Sequence, residues 1–151
     1  MEIIRTNSSS REFVDLTFQL DSELNDRYGL KQSKYGKYNK LDPIDTVFIG
    51  YFDKIPVACG CFKEIAPQTI EIKRMYVRKD YRRKGFSIKI LQYLEKLGFE
   101  LGYSKAKLET GKGQPEAIAL YKKCGYKIIE NYGPYVGFDN SVCMEKLLSG
   151  S

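Results

Sequence analysis

MYVRKDYRRKGFSIKIL, residues Met75–Leu91, joins a strand, a cationic turn and a helix in one short stretch. A strand-like run, Ile70–Val77, passes through a charged turn into Arg82-Arg83-Lys84-Gly85-Phe86-Ser87, and a helix-patterned segment follows at once. A compact loop at a helix start aims several backbone N–H groups at one point, and such a point binds anions. The stretch therefore predicts a docking place for a phosphate-bearing molecule.

Downstream, Ile90, Leu94, Leu97 and Leu101 recur at helical spacing, and Gly102 closes that helix. Lys105–Thr110 then alternates: Ala106, Leu108 and Thr110 on one face, Lys105, Lys107 and Glu109 on the other. A strand–helix–strand order implies a right-handed parallel crossover. Upstream, Thr46–Phe52, Ile55–Ile65 and Thr69–Arg78 are β-rich and separated by the short turns Asp53-Lys54 and Ala66-Pro67-Gln68, which predicts an antiparallel meander. Gly60 inside the middle strand suggests a bulge or a close backbone approach.

The flanks complete the order. Glu2–Arg5 reads as a short strand, and Ser9 with Glu12 fits a capping box. Phe13, Leu16, Leu20, Leu24 and Tyr28 form a helical stripe ended by Gly29. Residues 30–45 look irregular, with Lys31, Lys34, Lys37 and Lys40 set among Tyr35, Gly36 and Tyr38. A nucleic-acid contact, a flap over an active site and a solvated loop all fit that pattern. Pro115 suits the first position of a late helix whose apolar face is Ala117, Ile118 and Tyr121, with Gly125 at its end. Tyr126–Asn131 and Ser141–Leu147 read as closing strands joined through Tyr132-Gly133-Pro134-Tyr135. The expected unit is a single α/β (α+β) domain over residues 1–148, followed by a disordered tail or expression remnant at 149–151.

Composition narrows the chemistry. The chain has 151 residues, a formal net charge of +6 and 42% hydrophobic residues. This fits one globular domain with a preference for anionic partners. No apolar run reaches the roughly 18–20 residues of a membrane span, and MEIIRTNSSS does not read as a secretory signal. A cytoplasmic location is expected. The sequence holds no histidine, which excludes Ser-His-Asp and Cys-His nucleophile systems. Cys59, Cys61, Cys124 and Cys143 read as packed thiols, and no metal is expected. Proton transfer falls to Glu, Asp, Tyr, Cys, Lys or water.

Two motifs carry a resemblance. Arg82-Arg83-Lys84-Gly85-Phe86-Ser87 is similar to the Arg/Gln-x-x-Gly-x-Gly/Ala signature of the GNAT superfamily of acyl-CoA-dependent N-acyltransferases, with Ser87 in the last place. Ala117-Ile118-Ala119-Leu120-Tyr121-Lys122-Lys123-Cys124-Gly125-Tyr126 resembles the family's late helix, with one change of spacing at Ala117. Each motif falls on the predicted element it should occupy, and both occur in the family's order. The resemblance implies a mixed sheet of about six to seven strands, splayed between the fourth and fifth, with about four flanking helices.

It also implies roles. Acetyl-CoA would be the co-substrate, its pyrophosphate held by the amides of Arg83 to Ile88, with Gly85 allowing close approach. Arg82, Arg83 and Lys84 could add side-chain contacts. Met75, Tyr76 and Val77 would edge the pantetheine arm, and the Val77 N–H would face the thioester carbonyl. Gln114 would also touch the cofactor. Tyr121 fills the place of the general acid. Glu71 is the leading base and Glu109 its rival; strand parity sets Glu71 on the face of Val77 unless a bulge resets it. Tyr35, Glu109, Tyr132 and Tyr135 are candidate acceptor-pocket residues. The implied reaction is acetyl transfer to a primary amine, small or peptide-borne, in a ternary complex. The cationic segment leans the acceptor toward anionic amines. A non-catalytic acyl-CoA sensor is the alternative; neither a nucleic acid nor a membrane is an expected partner. Edge strands in the C-terminal hairpin could pair two copies of the chain.

Overall fold

The computed structural model describes residues 1–28 and 43–150. The Lys31–Lys40 segment, Tyr35 and Gly29 lie outside the described residues, so the expectations placed on them stay where the sequence left them.

The strands are β1 (Glu2–Thr6), β2 (Val47–Phe52), β3 (Ile55–Ala66), β4 (Thr69–Val77), β5 (Lys105–Gly111), β6 (Lys127–Ile129) and β7 (Ser141–Leu147). The helices are α1 (Arg11–Tyr28), α2 (Phe86–Glu100) and α3 (Pro115–Lys123). One sheet runs in the order β1-β2-β3-β4-β5-β7-β6. Among the described residues there are three α-helices, one fewer than expected. The closing strand β6 is also shorter than Tyr126–Asn131, and residues 133–135 form a single 3-10 turn before β7.

Strand alternation sorts the core into two layers. Ala58 and Phe62 of β3 pack with Ile90, Leu91 and Leu94 of α2 and with Tyr121 of α3. Cys59 and Cys61, on the other face, pack with Phe13 and Leu16 of α1. Helix α1 starts one residue later than the expected capping box. Ser9 is spent on Asn7, whose Oδ1 accepts from the Ser9 amide and hydroxyl. Ser10 caps instead: its Oγ accepts from the Phe13 N–H at 3.4 Å and donates to Glu12 Oε2 at 3.0 Å.

Two irregularities in β4 shape the functional region. Cys59 pairs with Tyr76 and Cys61 with Lys73, so β4 carries one residue more than β3 over that interval. The bulge falls at Arg74, whose φ is +59°. It reverses the parity that simple alternation would give. Val77 joins the α2-side core, while Glu71 lies on the opposite, α1-side face.

The second irregularity is the parallel pairing of β4 with β5. It covers only Thr69–Ile72 against Lys105–Leu108. Beyond it β4 runs on to Val77, and β5 turns its other edge to β7 as far as Gly111 opposite Ser141. A cleft opens between them.

Gly60 faces the bulge. A Cβ there would sit 2.5 Å from Met75 Sδ and 2.7 Å from Ile90 Cγ2. Gly60→Ala is therefore expected to lower unfolding free energy by about 1–3 kcal/mol, the usual cost of overpacking. Urea denaturation measures this; unchanged stability would show that Met75 and Ile90 yield freely.

Candidate active site

The turn between β4 and α2 has no side-chain cap on its helix. The first intrahelical bond runs from the Lys89 N–H to the Gly85 carbonyl at 3.1 Å. The amides of Phe86, Ser87 and Ile88 therefore have no partner within the helix and point ahead of it. Gly85 sits at φ +87°, and a Cβ there would meet nothing within 4 Å, so the turn is open to an incoming group. Arg83 shares the left-handed region at φ +64°. This cradle, with the positive end of α2 behind it, suits a diphosphate.

From the cradle a cleft of about 350 Å³ runs along Met75, Tyr76 and Val77 to Gln114 and Tyr121. Its β4 wall has main-chain groups to offer, since no β5 partner reaches it. The Arg78 N–H donates to the Val57 carbonyl at 2.7 Å. Alternation in an antiparallel ladder then turns the Val77 amide the other way, toward the gap.

A second, smaller cleft of about 130 Å³ meets the first at Met75, Gln114 and Tyr121. Its walls include Leu20, Lys73, Glu109 and Tyr135. Tyr121 is only 8% exposed. Burial, helped by Cys124, pushes its phenol well above the ordinary tyrosine range, so it is a proton donor at neutral pH.

Beneath the smaller cleft lies a polar network in an otherwise apolar layer. Lys73 Nζ donates to Glu71 Oε1 at 3.3 Å and to Tyr135 Oη at 3.5 Å. Tyr132 Oη donates to Glu71 Oε2 at 2.7 Å. Both oxygens of Glu71 are thus engaged, and its side chain is 5% exposed. Burial and the Glu71 charge raise the Tyr132 and Tyr135 phenols far above their usual value. Glu109 differs. Ser141 Oγ donates to its Oε2 at 2.8 Å, yet burial still lifts its carboxyl above the ordinary 4.5.

Of the residues singled out by sequence, Met75, Tyr76, Val77, Arg82, Arg83, Gly85, Phe86, Ser87, Ile88, Gln114 and Tyr121 line the larger cleft together. Glu109 and Tyr135 line the smaller one, while Glu71 and Tyr132 stand behind it. Lys84 turns its Nζ to the Phe52 ring, 5.9 Å from the centroid. Arg82 is engaged elsewhere: its Nη2 meets Glu23 Oε1 and Oε2 at 2.8 and 2.9 Å, and its Nε donates to the Val77 carbonyl at 2.8 Å. Sequence reasoning passed over Lys73 and Ser141. The i, i+2 spacing of Glu71 and Lys73 on one strand was the available signal, since it sets both on one face.

The profile of the Acetyltransferase (GNAT) family matches residues 11–126. IAA acetyltransferase from Azospirillum brasilense is 31% identical over 151 residues, covering 97% of this chain and 97% of that protein. "Probable N-acetyltransferase 14" from Xenopus tropicalis is 34% identical over 86 residues, which are 54% of this chain but only 41% of that protein. A Klebsiella pneumoniae structure of the acyl-CoA N-acyltransferase type superposes with a TM-score of 0.82 at 28% identity, covering 98% of this chain and 97% of that one. The chain belongs to the GNAT acetyltransferase family and is an acyltransferase.

Two measurements probe the buried network. Lys73→Met leaves the Glu71 carboxylate without its ammonium partner and is expected to cost about 3–5 kcal/mol of stability. A loss below 1 kcal/mol in chemical denaturation would mean that water reaches Glu71. Glu109 gives a signed pH test. Its folded-state value is raised, so its contribution to stability is complete below 4.5 and is lost as pH climbs through the raised value. The melting temperature of Glu109→Gln should therefore gain on wild type as pH rises from 4.5 toward neutral; a constant difference would contradict the shift.

Proposed function

We propose that this protein transfers acetyl from acetyl-CoA to a primary amine, small or peptide-borne, by direct attack in a ternary complex in the cytoplasm. The observation that supports this best is the junction of the uncapped Gly85 turn with the unpaired edge of β4. Together they offer main-chain donors to a diphosphate and main-chain partners to an amide-bearing arm.

The reading gives each group one task. The amides of Phe86, Ser87 and Ile88 bind phosphate oxygens. The edge Met75–Val77 pairs with the arm, and the Val77 N–H steadies the oxyanion that forms at the carbonyl. The acceptor enters the smaller cleft as an ammonium and must lose a proton before it attacks. Glu109 lines that cleft, and its raised carboxyl makes it a stronger base than an exposed glutamate. Glu71, with both oxygens engaged, supports the site by holding Lys73 and Tyr132 in place. Tyr121 borders both clefts and keeps its proton at neutral pH, so its hydroxyl is placed to donate a hydrogen bond to the departing sulfur.

Acetyl-CoA at about 100 times its dissociation constant should raise stability by about 2.7 kcal/mol. A panel of amines should then release coenzyme A from the bound complex. Tyr121→Phe is expected to cut that rate by about 10²–10⁴-fold while acetyl-CoA still binds. Tight acetyl-CoA binding with no release by any amine would instead favour an acyl-CoA sensor.

A further inference from the structure

The guanidinium at the head of the phosphate turn is not aimed at the turn. Arg82 reaches back across the cleft mouth to Glu23 on α1, with 2.8 and 2.9 Å to the two carboxylate oxygens. Its Nε donates to the Val77 carbonyl at 2.8 Å, and its Cζ lies 5.7 Å from the centre of the Tyr76 ring. Its three partners thus all belong to α1 or the end of β4. Half a turn earlier on α1, Asp21 accepts from Arg74 Nη1 at 2.6 Å, and Arg74 is the bulge residue of β4. Two acidic residues of one helix are therefore tied to two arginines that bracket the working edge of β4.

The helix so fastened is a wall of the site. Leu20 borders both clefts, and Glu23 borders the larger one. Apolar packing holds the first half of α1 through Phe13 and Leu16, which are fully buried. Glu23 and Asp21 are partly exposed, so the second half depends more on these ion pairs. Nη2 serves both Glu23 oxygens while Nε of the same rigid plane serves the Val77 carbonyl, so the guanidinium fixes orientation between α1 and β4 as well as distance, which a lysine could not do.

We infer that Arg82 and Glu23 form a positioning clasp: they set the α1 wall between the cofactor and acceptor clefts, and Arg82 is not primarily a phosphate ligand. The inference rests on the acetyl-transfer reading above for its catalytic consequence only. The clasp itself is a statement about α1 and the turn.

The test compares Glu23→Gln, Arg82→Gln, the double variant and the exchanged pair Glu23→Arg with Arg82→Glu. Acetyl-CoA affinity is measured by calorimetry. kcat and KM are measured with the amine that the panel identifies. Backbone hydrogen exchange is followed over Leu16–Leu24. With a clasp, Glu23→Gln keeps the acetyl-CoA dissociation constant within about twofold, yet costs several-fold to about a hundredfold in kcat/KM for the amine. Arg82→Gln does the same, the double variant is no worse than Arg82→Gln alone, and α1 exchanges faster in all three. The exchanged pair recovers part of both losses.

A phosphate ligand predicts the opposite pattern: Arg82→Gln weakens acetyl-CoA binding, Glu23→Gln leaves catalysis intact, and α1 exchange does not change. That pattern, or strict additivity of the two single variants, overturns the clasp. Failure of the wild-type chain to bind acetyl-CoA would remove the acyl-transfer reading, and the exchange data would still decide the clasp on their own.

Discussion

The site depends on a limit to strand pairing. β4 and β5 share only the ladder from Thr69 to Ile72, and from there each strand has something better to do. β5 is held by β7 along its whole length, through Gly111 opposite Ser141. β4 is held by β3, but the Arg74 bulge re-aims it. Main-chain groups left without a ladder partner must be satisfied by water or a ligand. The unpaired edge of β4 is thus a standing demand for hydrogen bonds, and the turn that follows it makes the same demand with the amides of α2. One molecule with a diphosphate and an amide-bearing arm would satisfy both, as proposed above.

The charged network under the second cleft follows from the same geometry. Because the bulge reverses parity after Lys73, Glu71 and Lys73 stay on the α1 face while Val77 passes to the α2 face. An ion pair placed at 4% and 5% side-chain exposure is expensive to desolvate and weak evidence for stability in itself. Here it fixes the phenols of Tyr132 and Tyr135, whose segment is a 3-10 turn with little regular structure of its own.

Much of this was legible in the chain. The alternation of Lys105–Thr110, the helical spacing of Ile90, Leu94 and Leu97 and the glycine turn at residue 85 announce local structure directly, because periodicity and backbone permissiveness are local properties. The strand–helix–strand order made β4 and β5 parallel neighbours. What could not be read were consequences of contacts distant in sequence. Nothing near residue 74 announces a bulge; Arg74 is driven to positive φ by its register with Cys59 and Cys61. Likewise Ser10 rather than Ser9 caps α1, because Asn7 had already claimed Ser9. The Arg82 side chain found Glu23 across 59 positions of sequence, and a motif read locally assigns that arginine to the phosphates. Glu71 and Glu109 look alike on paper, and only packing separates the carboxylate with both oxygens engaged from the one that borders the cleft.

The buried cysteines carry a further implication. Cys59 and Cys61 lie fully enclosed between β3 and α1, and desolvation pushes the Cys61 thiol up to about 12, with Cys59 also raised well above its usual value. Sulfur exchange needs a thiolate with access to its target. Under the acetyl-transfer proposal, a reactive thioester passes through the protein with every cycle, and an exposed thiolate would be a target for it. Cys59 and Cys61 are withdrawn from such a reaction, because burial keeps them protonated and out of reach.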